Sequence, residues 1–305
     1  MQQLLFSDEV ESLKTVNVSS VPQLSLFRYP GGKTWFVPRL REWLRSQTSK
    51  PKILIEPFVG GGIISLTAVF ENLVDEVLMV ELDEDIAAVW QTIVDGEANW
   101  LAQRILMFEM TKENVVNALE INQKSNRERA FQTILKNRTF HGGILAAGAG
   151  FIKNGEGGKG ILSRWYPRTL AKRLRQINYV KDKLSFVHGD AFEVIAQHQD
   201  NPRAVFFIDP PYTAGGKKAG SRLYKHFELD HDALFKKCAA LKGDVIMTYD
   251  NAKEVMELVA RYGFQAKPIA MKSTHHAAMT ELVIGKNLDW MQGIDRVLEE
   301  LAIYK

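Results

Sequence analysis

The stretch AVFFIDPPYTAGGKKAG (204–220) decides how the chain reads: five apolar residues run into Asp209, followed by two prolines and Tyr212. A short run rich in β-branched and aromatic residues predicts a buried strand. Proline cannot donate to a sheet ladder, so the strand must stop at the carboxylate. Four more runs read alike: KILIEPF (52–58), EVLMVEL (76–82), KLSFVHGD (183–190) and DVIMTYD (244–250). Helical patterns alternate with most of them. IISLTAVFENL, DEDIAAVWQTIV and DHDALFKKCAALKG carry apolar residues at helical spacing, and acidic residues suit the first turn of a helix. NAKEVMELVARYGF starts on Asn251 and stops at Gly263, the expected cap and C′ residues. Strands alternating with helices predict an α/β fold with a parallel sheet, whose ligands sit beyond the carboxyl ends of the strands. Glu56, Glu81, Asp190, Asp209 and Asp250 all fall there.

One region breaks the alternation. About a hundred residues separate the helix after Glu81 from the strand at Leu184. The region is mainly helical in pattern and holds HGGILAAGAGFIKNGEGGKG (141–160). The eight glycines at 142–160 cannot pack a core, and fixing their backbone is entropically costly. This predicts an inserted subdomain, 91–182, carrying a mobile loop, within a catalytic domain of 1–90 and 183–305.

Composition sets broader bounds. The chain has 305 residues, 46% hydrophobic and 25% charged, with a net charge of +3, ordinary for a globular protein. The single cysteine, Cys238, excludes an internal disulfide and a cysteine-rich zinc site. The start, MQQLLFSDEVESLKT, is acidic and lacks a signal-peptide run, and the longest apolar stretch is broken by Glu56, Pro57 and three glycines. These features predict a cytoplasmic protein with no membrane partner. His275 and His276 lack ligand spacing and read as surface residues.

EPFVGGG (56–62) ends a strand and opens a helix, and its glycines let backbone approach a ligand closely. It is neither a Walker motif nor a full G-x-G-x-x-G, so a phosphate cradle is unsupported. Glu81, about twenty residues on, is placed to accept from a ribose diol. Together they point to a nucleoside-bearing ligand without a phosphate motif, S-adenosylmethionine before a dinucleotide. Asp-Pro-Pro-Tyr fits that reading. The exocyclic amine of adenine is a poor nucleophile because its lone pair is delocalised. Asp209 could accept one N–H and the rigidly held Pro210 carbonyl the other, while Tyr212 offers a face for the base. Such chemistry needs the base out of its duplex. RTLAKRLRQINYVKDK (168–183), with Arg168, Lys172, Arg173 and Arg175, forms a candidate phosphate-binding face with Arg138, Lys153 and Lys159. Lys217, Lys218 and Arg222 in the loop after the catalytic motif would approach the same strand.

FRYPGGK (27–33), EPFVGGG (56–62), VELDED (80–85), HGDAF (188–192) and DPPY (209–212), in this order, closely resemble the motifs of the Dam-like (alpha-group) DNA adenine N6-methyltransferases. The resemblance extends to NRTFHGGI (137–144), LKGDVIMTYDN (241–251) and TELVIGKN (280–287). It implies a Rossmann-like, seven-strand methyltransferase sheet with an inserted target-recognition subdomain. It further implies that Tyr29, Lys33, Phe58, Gly60 and Glu81 bind S-adenosylmethionine, with Asp190 near the cofactor's adenine, Asp209 serving both cofactor site and catalysis, and Arg28 near DNA. No metal is needed, since the sulfonium is already an activated methyl donor. The family often has aspartate in place of Glu81 and Gly-Ser-Gly in place of Gly60-Gly61-Gly62. A DNA substrate is expected, and a cognate restriction endonuclease is a partner the resemblance allows. An RNA adenine or a protein glutamine as acceptor, and an inactive nucleic-acid-binding relative, are the alternatives.

Overall fold

The computed structural model describes residues 21–28, 32–122, 125–146, 148–211, 228–272 and 278–291. The expectations for Tyr29, Tyr212, Lys217, Lys218, Arg222, His275 and His276 lie outside these residues.

Seven strands form one sheet: β1 (Ile53–Glu56), β2 (Glu76–Glu81), β3 (Leu184–His188), β4 (Ala204–Ile208), β5 (Asp244–Asp250), β6 (Gln265–Lys272) and β7 (Ala278–Gly285). Their order is β3-β2-β1-β4-β5-β7-β6. The first five are parallel, and β7 runs antiparallel between β5 and β6. All five runs expected to be buried strands are strands, but β3 lies at the sheet edge and only its Leu184 is buried. The β6–β7 hairpin completes the sheet. Its sequence signal is muted by Pro268, which an edge strand tolerates, and by Glu281 inside an apolar run.

The order matters for function. From β1 the chain steps through β2 to β3 on one side, then returns to β4 and steps the other way through β5. The strand order therefore reverses between β1 and β4, and at such a reversal α/β sheets form their ligand crevice outside the carboxyl ends. Glu56 ends β1 and Asp209 follows β4 at that crevice.

Helices cover both faces. A 3₁₀ turn, Lys33–Phe36, leads into α1 (Val37–Ser46), whose Val37, Leu40, Trp43 and Leu44 are buried. The Trp43 indole N–H donates to Asp244 Oδ2 at 2.8 Å, tying α1 to the start of β5. Helix α2 (Ile63–Phe70) follows the glycine turn, and α3 (Glu84–Val94) starts on Asp83, whose carboxylate accepts the Asp85 N–H at 2.8 Å. The insertion supplies α4 (Ala98–Met107), α5 (Lys112–Glu120), α6 (Asn126–Thr139) and α7 (Pro167–Tyr179). Then come α8 (Ala191–Gln197), α9 (His231–Ala240) and α10 (Lys253–Tyr262). Gly263 ends α10 at φ 72°, as expected. Asn251 is not its cap, since Ala252 holds that position and the Asn251 amide points to Thr280 Oγ1 at 3.4 Å.

The inserted helices do not stand apart from the sheet. Trp90 and Ile93 of α3, Leu101 of α4, Phe131 of α6 and Leu174 of α7 share one core cluster with Val77 and Phe207 of the sheet. Helix α3 itself runs across residue 91. The glycine-rich stretch, expected as a mobile loop, is tied down at several points. Phe140 and Phe151 pair as an antiparallel bridge with their rings edge-on at 5.0 Å. The His141 N–H donates to the Gly150 carbonyl and the Ile152 N–H to Thr139, each at 2.8 Å. Gly143, at φ 75°, lies so close to the Arg28 carbonyl that any Cβ would collide with it. The glycines here permit close backbone packing as well as freedom. No helix among the described residues is long and apolar enough to cross a membrane.

Candidate active site

Strand alternation places the key side chains. Phe207, Ile246 and Val283 belong to one core cluster, while Phe206, Ile208, Val245, Met247, Leu282 and Ile284 belong to the other. Successive strand residues point to opposite faces. Asp209, Thr248 and Glu281, each two positions from a residue of the first cluster, therefore converge on one face at the mouth of the sheet. Phe36 packs on Phe207 at a ring separation of 5.1 Å, which sets the 3₁₀ turn, and Lys33 with it, over Asp209. The Lys33 ammonium lies 3.0 Å from Asp209 Oδ1 and 3.3 Å from Glu281 Oε2. The Thr248 hydroxyl donates to Asp209 Oδ1 at 2.7 Å. Lys33 is 5% exposed, whereas the Asp209 side chain keeps 21% of its surface open. No hydrogen bond among the described residues uses Oδ2 of Asp209. Among the described residues, then, one carboxylate oxygen is held by Lys33 and Thr248 and the other makes no hydrogen bond. Pro210 is buried directly beyond it.

The second half of the site is the glycine turn. The Val59 N–H donates to the Val80 carbonyl at 3.0 Å, pinning the turn to β2. Gly60 and Gly62 adopt φ of 44° and 65°, the left-handed region that glycine occupies without strain. At Gly62 a Cβ would meet the Trp90 ring within 2.5 Å. That indole donates to the Gly60 carbonyl at 3.0 Å. The Glu81 carboxylate accepts three backbone N–H groups, from Gly60 and Leu82 at 3.0 Å and Asp83 at 3.1 Å. Burial still pushes its pKa up to about 7. The Gly189 N–H donates to the Glu81 carbonyl at 3.1 Å. This brings exposed Asp190, which caps α8 through the Phe192 N–H at 2.6 Å, beside the same strand end. Phe58 is partly buried against the second core cluster.

Glu56 has a role the sequence did not signal. Gly62 at the start of α2 has no side chain to cap it. Glu56 Oε2 takes that task, accepting the Ser65 N–H at 3.0 Å and the Ser65 hydroxyl at 2.5 Å. Only 3% of the residue is exposed, and burial foremost pushes its pKa up to about 8. A carboxyl raised on folding holds a proton that the unfolded chain releases between pH ~4.5 and 8, so stability falls as pH rises through that window. Glu56→Gln keeps the shape without the charge. Melting curves at pH 6 and pH 9 should lie closer together for this variant than for the wild type.

The arginines divide. Arg168, Lys172 and Arg175 are exposed along one side of α7, opposite buried Leu170, Leu174 and Ile177, and Lys153 and Lys159 are also exposed. Arg138 departs from the expectation of a phosphate contact. It is 4% exposed and its guanidinium donates to the Leu26 carbonyl. Burial first, then the nearby charges of Arg173 and Arg28, lowers its pKa to about 9. Arg173 donates to the Ser25 carbonyl at 2.7 Å. Asn137 brackets the Arg28 peptide, accepting its N–H at 2.8 Å and donating to its carbonyl at 2.9 Å. Three side chains of the insertion thus hold residues 25–28, the lead-in to the turn that carries Lys33. Asn137, Thr248 and Glu281 belong to the site's framework although sequence reasoning did not single them out. For Glu281 alone a signal existed, a charge inside an apolar strand.

The model of the D12 class N6 adenine-specific DNA methyltransferases matches residues 29–274, spanning Lys33, the glycine turn, Glu81 and Asp209. The chain belongs to this family. Among curated relatives, the DNA N-6-adenine-methyltransferase of Escherichia phage P1 is 27% identical over 80% of this chain, which spans 32% of that protein's length. The type II methyltransferase M.MjaIII of Methanocaldococcus jannaschii is 23% identical over 67% of this chain and 74% of its own. Among solved structures, the rRNA methyltransferase AviRa of Streptomyces viridochromogenes aligns over 97% of this chain and 96% of its own at 11% identity and a TM-score of 0.37.

Proposed function

We propose that this D12 family member is a Dam-like enzyme that transfers a methyl group from S-adenosylmethionine to N6 of adenine in DNA. The observation that carries this is Asp209 at the crevice, with Oδ1 held by Lys33 and Thr248, Oδ2 open, and Pro210 next in the chain. Asp209 Oδ2 and the Pro210 carbonyl each accept one N–H of the adenine amine, and Tyr212 supports the ring of a base turned out of its duplex. Two acceptors fix the direction of the nitrogen lone pair. This is positioning and electrostatic preorganisation rather than covalent chemistry by the protein.

The residues present fit the cofactor. A carboxylate offers about four acceptor positions, and the three backbone donors on Glu81 leave room for a ribose hydroxyl at its partly exposed edge. Gly60 lends its N–H to Glu81, the absent side chain of Gly62 lets Trp90 pack beneath the turn, and Asp190 stands beside the same strand end. Glu81, Gly60, Phe58, Asp190, Lys33 and Tyr29 would hold S-adenosylmethionine, which supplies an activated methyl group on its sulfonium. Charge-assisted hydrogen bonds contribute about 1.5–3 kcal/mol. Glu81→Gln should therefore weaken S-adenosylmethionine binding roughly tenfold or more at pH 8. The ionised carboxylate is the better acceptor, so wild-type affinity should rise as pH rises through about 7 while that of the variant stays level. Calorimetry across pH 6–8.5 checks both.

Target recognition falls to the insertion, 91–182. The exposed row Arg168, Lys172 and Arg175, with Lys153, Lys159, Lys217 and Lys218, meets phosphates, which position the protein without specifying bases. Arg28 and Arg173, both half-buried, would add to this surface, while buried Arg138 holds the Leu26 carbonyl. A cytoplasmic setting goes with the single, buried, unpaired Cys238, and a cognate restriction endonuclease is the partner such an enzyme would protect against. Labelled methyl transfer to DNA, RNA and protein, run side by side, tests the reading. Label in N6-methyladenine of DNA supports it. Label in RNA or in glutamine replaces the substrate, and no transfer at all favours an inactive binding protein.

A further inference from the structure

Glu281 is the buried titratable group that the chemistry above leaves without a task. It sits mid-strand in β7, 5% exposed, opposite Asp250 on β5 and Ile269 on β6. An apolar residue would fill such a position more stably, since buried carboxyls are retained only when paired or used. Its Oε2 faces the Lys33 ammonium at 3.3 Å. That ammonium also faces Asp209. Two carboxylates therefore share one buried cation, and only one of them opens to the crevice.

We propose that Glu281 is a positioning residue for methyl transfer, which holds the Lys33 ammonium between two carboxylates so that Asp209 stays fixed through Oδ1 and keeps full acceptor strength at Oδ2. This role rests on the functional reading above. When Glu281 is ionised it draws part of the Lys33 charge away from Asp209. When it is protonated the whole charge falls on Asp209, and the open oxygen becomes a poorer acceptor for the adenine N–H. The surrounding groups agree with a titration in the working range. Burial raises the Glu281 pKa to about 7, Lys33 opposes the rise, and Asp209 and Asp250 add to it. On β6 the facing residue is Ile269, with Lys267 two positions along on the same side.

The test is kcat and KM for adenine methylation from pH 5.5 to 9 in the wild type, Glu281→Gln and Glu281→Asp, with melting curves and cofactor titrations to confirm folding. Small misplacements of a catalytic group cost up to about a hundredfold. Glu281→Gln should lower kcat roughly ten- to a hundredfold at pH 8, with KM for DNA and cofactor within about twofold. It should also lose the fall in kcat expected of the wild type below about pH 7. Glu281→Asp keeps the charge, so the fall should persist with kcat partly restored. A Glu281→Gln profile matching the wild type in kcat and in its acid limb overturns the role. If Glu281→Gln does not fold, Glu281→Asp carries the test: a displaced acid limb with reduced kcat supports the role, and an unmoved limb at wild-type kcat overturns it. A wild type that methylates no adenine removes the functional reading and this role together. An active wild type with insensitive variants removes the role alone.

Discussion

Asp209→Asn should lower methyl transfer at least about a hundredfold while the protein stays folded. Deleting one preorganised polar contact at a reacting atom typically costs 10²–10³ in rate, about 2.7–4 kcal/mol. The change here goes further, because an amide in the same place turns a donor toward one of the two positions where an acceptor must be. The structure gives reasons for the fold to survive. Asn retains an oxygen for the Thr248 hydroxyl, and Lys33 keeps Glu281 as its counter-ion. Asp209 also helps push the pKa values of Glu56 and Glu281 up, so its neutralisation relieves some repulsion. Single-turnover methylation, beside melting curves and a cofactor titration, checks the prediction. Turnover near that of the wild type would remove Asp209 from the chemistry.

Lys33→Met should carry the largest stability effect. The substitution fills most of the volume but leaves Asp209 and buried Glu281 facing each other without a cation. Removing one partner of a buried ion pair costs about 3–5 kcal/mol, because the remaining charge is desolvated and unpaired. The sign of its pH dependence follows. Without Lys33 the Glu281 pKa rises further, so the folded variant takes up a proton that the unfolded chain does not hold. The deficit relative to wild type should shrink as pH falls from about 8 toward 6. Activity should be lost as well, since among the described residues Asp209 Oδ1 keeps only Thr248. Denaturant titrations at pH 6 and pH 8 measure this directly, and an equal, small destabilisation at both would mean that Lys33 is not the ion pair's keystone.

Much of the fold is readable from short segments. Most of the parallel strands are short apolar runs bounded by a break, and KILIEPF, EVLMVEL and AVFFIDPP each announce where the ladder ends; the edge strand β3, LSFVH, carries the weakest pattern. The glycine turn is equally local. Gly60 and Gly62 take backbone angles that other residues resist, and the helix that follows starts where they permit it. The β6–β7 hairpin is less readable because Pro268 and Glu281 interrupt its apolar pattern. The mobile-loop reading of 141–160 rested on glycine's entropy alone. It could not foresee that Gly143 is pressed against the Arg28 carbonyl by the Asn137 clamp.

The sequence by itself determined that this protein is an α/β fold with acidic strand ends, a glycine-bare turn and an Asp-Pro-Pro-Tyr elbow, because periodicity, proline and glycine act over a few residues. Alternation also dictates that Asp209 shares a face with Phe207, and Glu281 with Val283. It does not dictate which strands are neighbours. Only the tertiary structure decided that β1 and β4 lie side by side where the order reverses, and that Lys33, Asp209 and Glu281 meet around one ammonium. It likewise decided that Arg138, which by composition belongs to a basic surface, is buried with its guanidinium on a backbone carbonyl. The physical reason is common to all three. The partner of a charge is supplied by whatever packing brings near it, and in this chain the partners come from elements far apart in sequence.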